Sequence, residues 1–170
     1  IVITVIGADR SGLVEEISKT VTACGGNWLE SRLSHLGGQF AGMVEIAVAS
    51  DRVEELKASL ENLSGSGLSV MVREANEDSS GECDQVANIE IVGQDRQGIV
   101  SQISAAFAEF KANVESLDTE CKSAPMSGEK LFEAKARVCI PAECDLNELR
   151  DKLEEIAADL MVDVSLGIEN

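Results

Sequence analysis

Hydrophobic positions at the start of the chain follow two periods, which predict a strand and then a helix. The apolar run "IVITVIG" at residues 1–7 is rich in β-branched residues and is typical of a buried strand. The glycines of "CGGN" at residues 24–27 predict the end of the helix that follows. That helix carries its apolar residues at three- and four-residue steps: Leu13, Val14, Ile17, Val21 and Cys24.

The rest of this half predicts a hairpin, a second helix and a closing strand. The segment "NWLESRLSHL" alternates in polarity, and "GG" at residues 37–38 is a hairpin signal before the apolar "QFAGMVEIAVA". Next, "SDRVEELKASLENLSG" begins with Ser50 and Asp51 as candidate helix caps and places its apolar residues on one face. The last strand is "LSVMVREA". The predicted order of elements is therefore βαββαβ.

A shift of 86 positions aligns the first half of the chain with the second. It sets Gly7 of "GADRSGLV" on Gly93 of "GQDRQGIV", since 93 − 7 = 86, and it sets Asn27 on Asn113 without a gap. One shift that satisfies matches so far apart indicates a duplication. The second half repeats the order of elements, with the longer loop "KSAPMSGE" in place of the tight turn.

We therefore predict an α+β protein of two ferredoxin-like βαββαβ domains, each a four-stranded antiparallel sheet with two helices on one face. The first domain spans residues 1–75 and the second spans residues 88–170. Residues 76–87 between them have the acidic, Ser and Gly content of a solvated linker. Because such sheets expose one face and their edges, we expect the two domains to associate closely, and a second copy of the chain is a further candidate partner.

The formal net charge of −17, from 31 acidic and 14 basic residues, restricts the choice of partner. So acidic a surface repels phosphate backbones and anionic lipid, and direct binding to nucleic acid or a membrane is not expected. No apolar stretch reaches the roughly 20 residues of a membrane span, and the first residues contain no basic n-region or small-residue cleavage site. We expect a soluble cytoplasmic chain in which any link to nucleic acid runs through a protein partner.

Candidate catalytic and metal-binding residues are sparse. His35, the one histidine, precedes a hairpin and is interpreted as a solvated turn residue rather than a base. The five cysteines are an odd number in a chain large enough to fold without disulfides, so we expect them to be reduced. Cys139 and Cys144 are the nearest pair, but no histidine lies near them to complete a zinc set. We predict no catalytic residue, no metal site and no cofactor.

The repeated glycine turn lies where a strand ends and a helix begins, and two interpretations of it stay open. Gly12 and Gly98 permit either a positive φ or the close approach of another group to the main chain. Free N–H groups and partial positive charge at a helix start hold a carboxylate or phosphate, which makes each turn a candidate anion site. In the other interpretation, Asp9, Asp95 or Ser11 caps the helix. A nucleotide is disfavoured because the spacing matches neither a Walker loop nor the Rossmann glycine fingerprint.

Three features carry a resemblance to a known family: "GADRSGLV" and "GQDRQGIV" after a first strand, Asn27 and Asn113 opening the second strand, and the doubled βαββαβ order. The chain resembles tandem ACT domains, as in the glycine cleavage system transcriptional repressor family. The resemblance implies a site for a small effector, often an amino acid. In that family the site is lined by the loop after the first strand and by the start of the second strand, usually at the interface between two ACT units.

The resemblance implies ligand-binding residues in both copies. Main-chain N–H groups at the helix start would bind a carboxylate, and the Asn side chain would engage the polar groups of an amino acid. The family often has proline before the motif glycine, where this chain has Ser11 and Gln97, which leaves an extra N–H at each site. The implied positions are Asp9, Arg10, Ser11, Gly12, Leu13, Val14 and Asn27 in the first copy, and Asp95, Arg96, Gln97, Gly98, Ile99, Val100 and Asn113 in the second.

Three classes of function remain. The favoured class is a non-catalytic regulatory protein that binds an amino acid and signals through a protein partner, in transcriptional control of glycine metabolism, because two such units account for the whole chain. The second class is an interaction scaffold in which the glycine turns are only structural. The third is the regulatory part of an amino acid or one-carbon enzyme system, such as an ACT-bearing deformylase.

Overall fold

The computed structural model describes residues 1–75, 83–123 and 129–169, and the chain divides into two compact units, residues 1–79 and 80–170. The first strand of the second unit begins at Gln85, inside the segment predicted as a linker. Most of the predicted loop "KSAPMSGE" lies outside the described residues. None of the α-helices in the described ranges is long and apolar enough to cross a membrane.

The first unit has the predicted βαββαβ order. Its four strands form one antiparallel sheet in the order β2-β3-β1-β4. Gly37 and Gly38 both have positive φ (58° and 77°) and form the tight turn of the β2–β3 hairpin, as the "GG" signal predicts. The elements are β1 (Val2–Ala8), α1 (Leu13–Ala23), β2 (Asn27–Leu36), β3 (Gln39–Ala47), α2 (Val53–Glu61) and β4 (Leu68–Arg73).

The second unit repeats this arrangement. Its antiparallel sheet has the order β6-β7-β5-β8, so each element occupies the place of its counterpart in the first unit. The predicted fold class, two ferredoxin-like domains, is thereby confirmed. The elements are β5 (Gln85–Gln94), α3 (Ile99–Glu109), β6 (Asn113–Ser123), β7 (Lys130–Ile140), α4 (Leu146–Leu160) and β8 (Val162–Ile168).

Each core forms between the helices and one face of the sheet. On β1, Ile3 and Val5 are fully buried, whereas the alternate residues Thr4 and Ile6 are exposed. This period of two is what a sheet with one covered face requires. One detail of the prediction is wrong: the residues Ser50–Arg52 form a short 3-10 helix before α2, and no side chain in the described part of the chain caps α2.

The open faces of the two sheets differ in chemistry. In the first unit, three apolar side chains on neighbouring strands are each more than half exposed: Ile6, Met43 and Met71. In the second unit, Lys135 on β7 lies opposite Glu90 on β5, with 3.3 Å between the Lys135 Nζ and Glu90 Oε1 atoms. The open face of the first sheet therefore carries three exposed apolar side chains, and that of the second carries an ion pair.

Candidate functional site

Both glycine turns adopt the same left-handed backbone. Gly12 has φ 91° and Gly98 has φ 96°, and each is the residue directly before a helix, α1 and α3 respectively. An L-residue rarely adopts this conformation, which explains why glycine stands at both positions.

The starts of α1 and α3 are not capped by any side chain among the described residues. The helix α4 provides the contrast, because the Asp145 carboxylate accepts hydrogen bonds from the backbone N–H groups of Asn147 and Glu148 at 2.8 Å and 3.3 Å. The interpretation in which Asp9, Asp95 or Ser11 caps the helix is therefore wrong. The first N–H groups of α1 and α3 remain available to another acceptor.

Each turn is held against the adjacent hairpin. The Asp9 N–H donates to the Gly38 carbonyl oxygen at 2.9 Å, and the Asp95 N–H donates to the Lys130 carbonyl oxygen at 3.0 Å. Gly38 and Lys130 occupy equivalent places directly before, or at the start of, the third strand of their units. The backbone of both turns is therefore fixed by the same hydrogen bond, and the difference between the two sites lies in their side chains.

Acidic groups surround the first turn. Glu15 and Glu16 stand in the first turn of α1, and Glu16 forms an ion pair with Arg10. The Asp9 carboxylate lies 3.8 Å from the His35 Nε2 atom. Since Arg10 is already paired, the net charge next to these N–H groups is unfavourable to an incoming anion.

The second turn carries less negative charge than the first. The first turn of α3 contains no acidic residue. The Arg96 guanidinium donates to the Gln94 Oε1 atom at 3.4 Å and contacts the Met161 sulfur at 3.1 Å, and it forms no ion pair with any described residue. Because an arginine without a carboxylate partner keeps guanidinium N–H groups that can donate to one, the second turn is less unfavourable to an anion than the first.

The structure brings the loop residues of each unit together but separates them from the predicted asparagine. Leu13 and Ile99 are buried, so their side chains belong to the cores of the two units. Asn27 is the first residue of β2, and the end of β2 that lies next to the turn is its last residue, Leu36. Asn27 is therefore at the end of the sheet opposite the turn. Ten residues of strand span roughly 30 Å. Asn113 opens β6 in the same way.

Val100, a predicted site residue, is exposed and lines an apolar pocket between α3, β6 and β7 of the second unit. Val114 and Leu117 on β6 stand at the rim of this pocket and are also partly exposed. In the first unit Trp28 occupies the place of Val114, since it is paired with Ile46 as Val114 is paired with Val138, and its ring packs on the core. The apolar pocket is therefore a feature of the second unit.

Two residues near the turns are missed by the sequence analysis. His35 lies on β2 rather than in the turn, and Met161 follows α4. Both are brought to the turn by strand pairing, His35 through the β2–β3 hairpin and Met161 through the pairing of β8 with β5. Counting strand pairs outward from the hairpin glycines would place His35 near the first turn. Nothing in the sequence around Met161 indicates that it lies near the second turn.

The expectation of five reduced cysteines is wrong. Cys83 and Cys139 form a disulfide, with their Cα atoms 5.4 Å apart, while Cys24, Cys121 and Cys144 are free. The pairing was hidden because the two cysteines are 56 positions apart in the chain and meet only when β5 pairs with β7. Partial burial, together with Asp145, Glu143 and Glu148, raises the pKa of the Cys144 thiol, so this thiol stays protonated at neutral pH.

Comparison with known proteins agrees with this architecture. The "Glycine cleavage system transcriptional repressor" of Escherichia coli (strain K12) is 22% identical over 174 residues, which cover 100% of this chain and 90% of that protein. A crystal structure of an unknown protein from Galdieria sulphuraria has a TM-score of 0.89 and 28% identity, covering 99% of this chain and 97% of that one.

A crystal structure of a "putative glycine cleavage system transcriptional repressor" has a TM-score of 0.72 at 21% identity, covering 99% of this chain and 96% of that one, and it shares the fold. Two models of the ACT domain match residues 1–73 and residues 84–158. These matches correspond to the two βαββαβ units. The chain therefore belongs to the ACT domain family and contains two ACT domains in tandem.

Proposed function

We propose that this chain is a non-catalytic regulatory protein that binds a small effector, an amino acid, at its glycine turns and signals through a protein partner. The observation that carries the proposal is the uncapped helix start that follows a left-handed glycine in both domains. Backbone N–H groups without a capping side chain, at the positive end of a helix dipole, suit the carboxylate of an amino acid. The membership in the ACT domain family supports the same conclusion.

The second domain is the principal site in this proposal. Arg96 lacks an acidic partner within the described ranges, and the first turn of α3 carries no carboxylate. The apolar pocket beside Val100 lies close in sequence to the same helix start. A carboxylate at the turn would therefore allow an aliphatic side chain to reach apolar surface, whereas the first domain carries Glu15 and Glu16 in the first turn of α1 and has the Trp28 side chain packed on its core.

Completion of the site requires a second ACT unit. Asn27 and Asn113, which have the donor and acceptor groups suited to an amino acid, lie at the far end of their own sheets from the turns. An asparagine can therefore complete a turn only if it belongs to another ACT unit. This requirement fits a protein in which effector binding changes how ACT units associate.

Binding of an amino acid is tested by isothermal titration calorimetry of the full chain against the twenty amino acids, beginning with glycine and serine. We expect saturable binding of one of them, and loss of that binding in Gly98→Val, because a side chain at a φ of 96° both strains the turn and obstructs its N–H groups. Gly12→Val is expected to have a smaller effect on binding. Silence of the wild-type chain across the panel contradicts the proposal.

Gly25→Val, in the same domain as Gly12, is the matched control for the strain that Gly12→Val introduces. Gly25 has φ 73° at the opposite end of α1, and a Cβ atom there meets nothing within 4 Å, as is also true of Gly12. Each substitution is expected to lower the free energy of unfolding by at least about 1 kcal/mol, because the left-handed conformation disfavours a side chain. Equal loss of binding in Gly25→Val would assign the effect to stability rather than to the turn.

The partner in this proposal is a protein, and the signal acts in transcriptional control of glycine metabolism in the cytoplasm. The net charge of −17 opposes direct contact with nucleic acid, and the similar Escherichia coli protein is named a transcriptional repressor. The immobilised chain should capture the same polypeptide from extract before and after nuclease digestion. Loss of that polypeptide on digestion would show a nucleic acid bridge and contradict this proposal.

A second candidate is a protein-interaction scaffold without a ligand. The exposed side chains of Ile6, Met43 and Met71 on the open face of the first sheet favour it, since apolar side chains grouped on one face are a feature of protein contact surfaces. This candidate predicts no heat of binding with any amino acid. The calorimetric panel therefore separates the two.

A further inference from the structure

One cluster of potential metal ligands lies outside the glycine turns, on the open face of the second sheet. It brings together the Cys83 Sγ atom, the Cys139 Sγ atom and a Glu115 carboxylate oxygen, which all lie within 4.8 Å of one another. Cys83 precedes β5, Glu115 is on β6 and Cys139 is on β7. Three segments that are distant in sequence therefore converge on one point.

Strand pairing creates this convergence. Cys139 lies opposite Val86 on β5 and opposite Asn113 on β6, which places it between the two neighbouring strands. The pairing of β6 with β7 is irregular between Val114 and Ser116, and Glu115 is the residue at that irregularity. A bulge of this kind redirects a side chain, here toward the two sulfur atoms.

We infer that the reduced form of this cluster binds Zn²⁺ through the thiolates of Cys83 and Cys139 and the carboxylate of Glu115. Thiolate and carboxylate are both zinc ligands, with bond lengths of roughly 2.3 Å and 2.0–2.2 Å, so ligand atoms in a tetrahedral site lie roughly 3.5–4 Å apart. The present spacing requires only that the two sulfur atoms separate. Water fills the fourth position.

The neighbouring side chains hold Glu115 in place as metal sites require. The Arg137 Nη1 atom donates to a Glu115 oxygen at 2.8 Å, and the Arg137 Nη2 atom donates to Glu169 at 2.9 Å. Asn88 donates to the same Glu169 carboxylate at 3.1 Å. Hydrogen bonds of this kind orient a ligating carboxylate and tune its affinity for the metal. Two thiolates and Glu115 supply three negative charges in a chain whose net charge is already −17.

The metal and the disulfide exclude one another. A dithiol reductant delivers two electrons and two protons to the Cys83–Cys139 bond, which gives two thiols while the reductant becomes a disulfide. Zn²⁺ then displaces the two thiol protons as it binds. A disulfide oxidant reverses the sequence: it takes two electrons from the thiolates and two protons from water to become a dithiol, the Cys83–Cys139 bond forms and the metal is released. In either state Cys83 stays tied to β7.

The test uses the full chain, reduced with a phosphine that does not bind zinc and kept free of oxygen. Co²⁺ replaces Zn²⁺ as a visible probe, because its thiolate complexes have charge-transfer and tetrahedral absorption bands. We expect these bands to saturate at one Co²⁺ per reduced chain and to vanish when Zn²⁺ is added. The oxidised chain should show neither band. Absence of the bands in the reduced wild-type chain overturns the inference.

Single substitutions identify the ligands. Cys83→Ser should abolish the thiolate bands, and because Cys83 is exposed its replacement leaves the core untouched. Cys121→Ser is the matched control, since Cys121 is an exposed free cysteine of the same domain and its loss should leave the bands unchanged. Glu115→Gln should weaken Zn²⁺ binding by about tenfold or more. Full bands in Cys83→Ser, or their loss in Cys121→Ser, overturn the assignment.

Discussion

Replacement of Gly42 by alanine is expected to destabilise the first ACT domain strongly while the stability of the second stays unchanged. Gly42 lies on β3 opposite Leu33 of β2, and an added Cβ atom would overlap the Arg32 carbonyl oxygen and lie 2.7 Å from the Leu33 Cα atom. Both obstacles are backbone atoms that no rotamer change can move. The cost should reach the upper end of overpacking effects, about 3 kcal/mol or more, which is a large share of the stability of a small domain.

Trp28 makes this loss measurable in the intact protein. It is the one tryptophan of the chain and packs on the core of the first domain, so its fluorescence follows the unfolding of that domain. Far-ultraviolet circular dichroism follows both domains. Titration of Gly42→Ala with urea should lower the fluorescence midpoint strongly, or abolish the transition, while part of the dichroism transition stays in place.

Gly65→Ala is the control for this experiment. Gly65 is in the same domain, lies within the 3-10 helix Asn62–Ser66, and a Cβ atom at this position meets nothing within 4 Å. We expect the free energy of unfolding that its fluorescence transition reports to change by no more than about 0.5 kcal/mol. A Gly42→Ala midpoint equal to that of Gly65→Ala would show that the β2–β3 pair can separate to admit a methyl group.

The two glycines of each motif have different structural roles, which the sequence alone does not distinguish. Gly7 and Gly12, or Gly93 and Gly98, look like one repeated device in the sequence, but the structure gives them different roles. A Cβ atom on Gly7 would lie 2.6 Å from the Gly67 carbonyl oxygen, and one on Gly93 would lie 2.6 Å from a Val162 side chain, so the first glycine of each motif is needed for strand packing. The second is needed for its positive φ.

The fold was predictable because its determinants are periodic and local. Alternation in β1, the three- and four-residue steps of α1, and the hairpin glycines Gly37 and Gly38 each specify one element, and the duplication supplies the evidence a second time. Ser50 and Asp51 were interpreted as a cap because they are good capping residues, yet a 3-10 turn satisfies the backbone there instead.

The charge at the two candidate sites depends on side-chain contacts that cannot be inferred from the sequence. The pairing of Arg10 with Glu16 joins residues six positions apart, in the turn and in the first turn of α1, but the contact of Arg96 with Met161 depends on strand order across the sheet. The Cys83–Cys139 disulfide depends on the same order. Motif residues could therefore be named from the sequence, whereas the unequal charge of the two turns could not.

This inequality leads to a second prediction with a large effect, on binding rather than stability. We expect Arg96→Gln to weaken binding of the amino acid identified by calorimetry by roughly 10- to 100-fold, since a charge-assisted hydrogen bond to a carboxylate contributes about 1.5–3 kcal/mol. The fold should be unaffected because Arg96 is exposed and its side chain contacts Gln94 and Met161 alone among the residues that the structure describes. Calorimetric titration of both proteins at the same ionic strength gives the ratio of dissociation constants directly.

Arg10→Gln is the matched control, because Arg10 occupies the same position in the first motif but is engaged by Glu16. We expect its effect on the dissociation constant to be less than about threefold, since the guanidinium charge is already balanced and exposed pairs contribute little. If the two substitutions weaken binding equally, both turns bind the effector with similar strength, and the assignment of the principal site to the second domain is wrong. If only Arg10→Gln weakens it, Glu16 must release Arg10 on binding, and the first turn is the site.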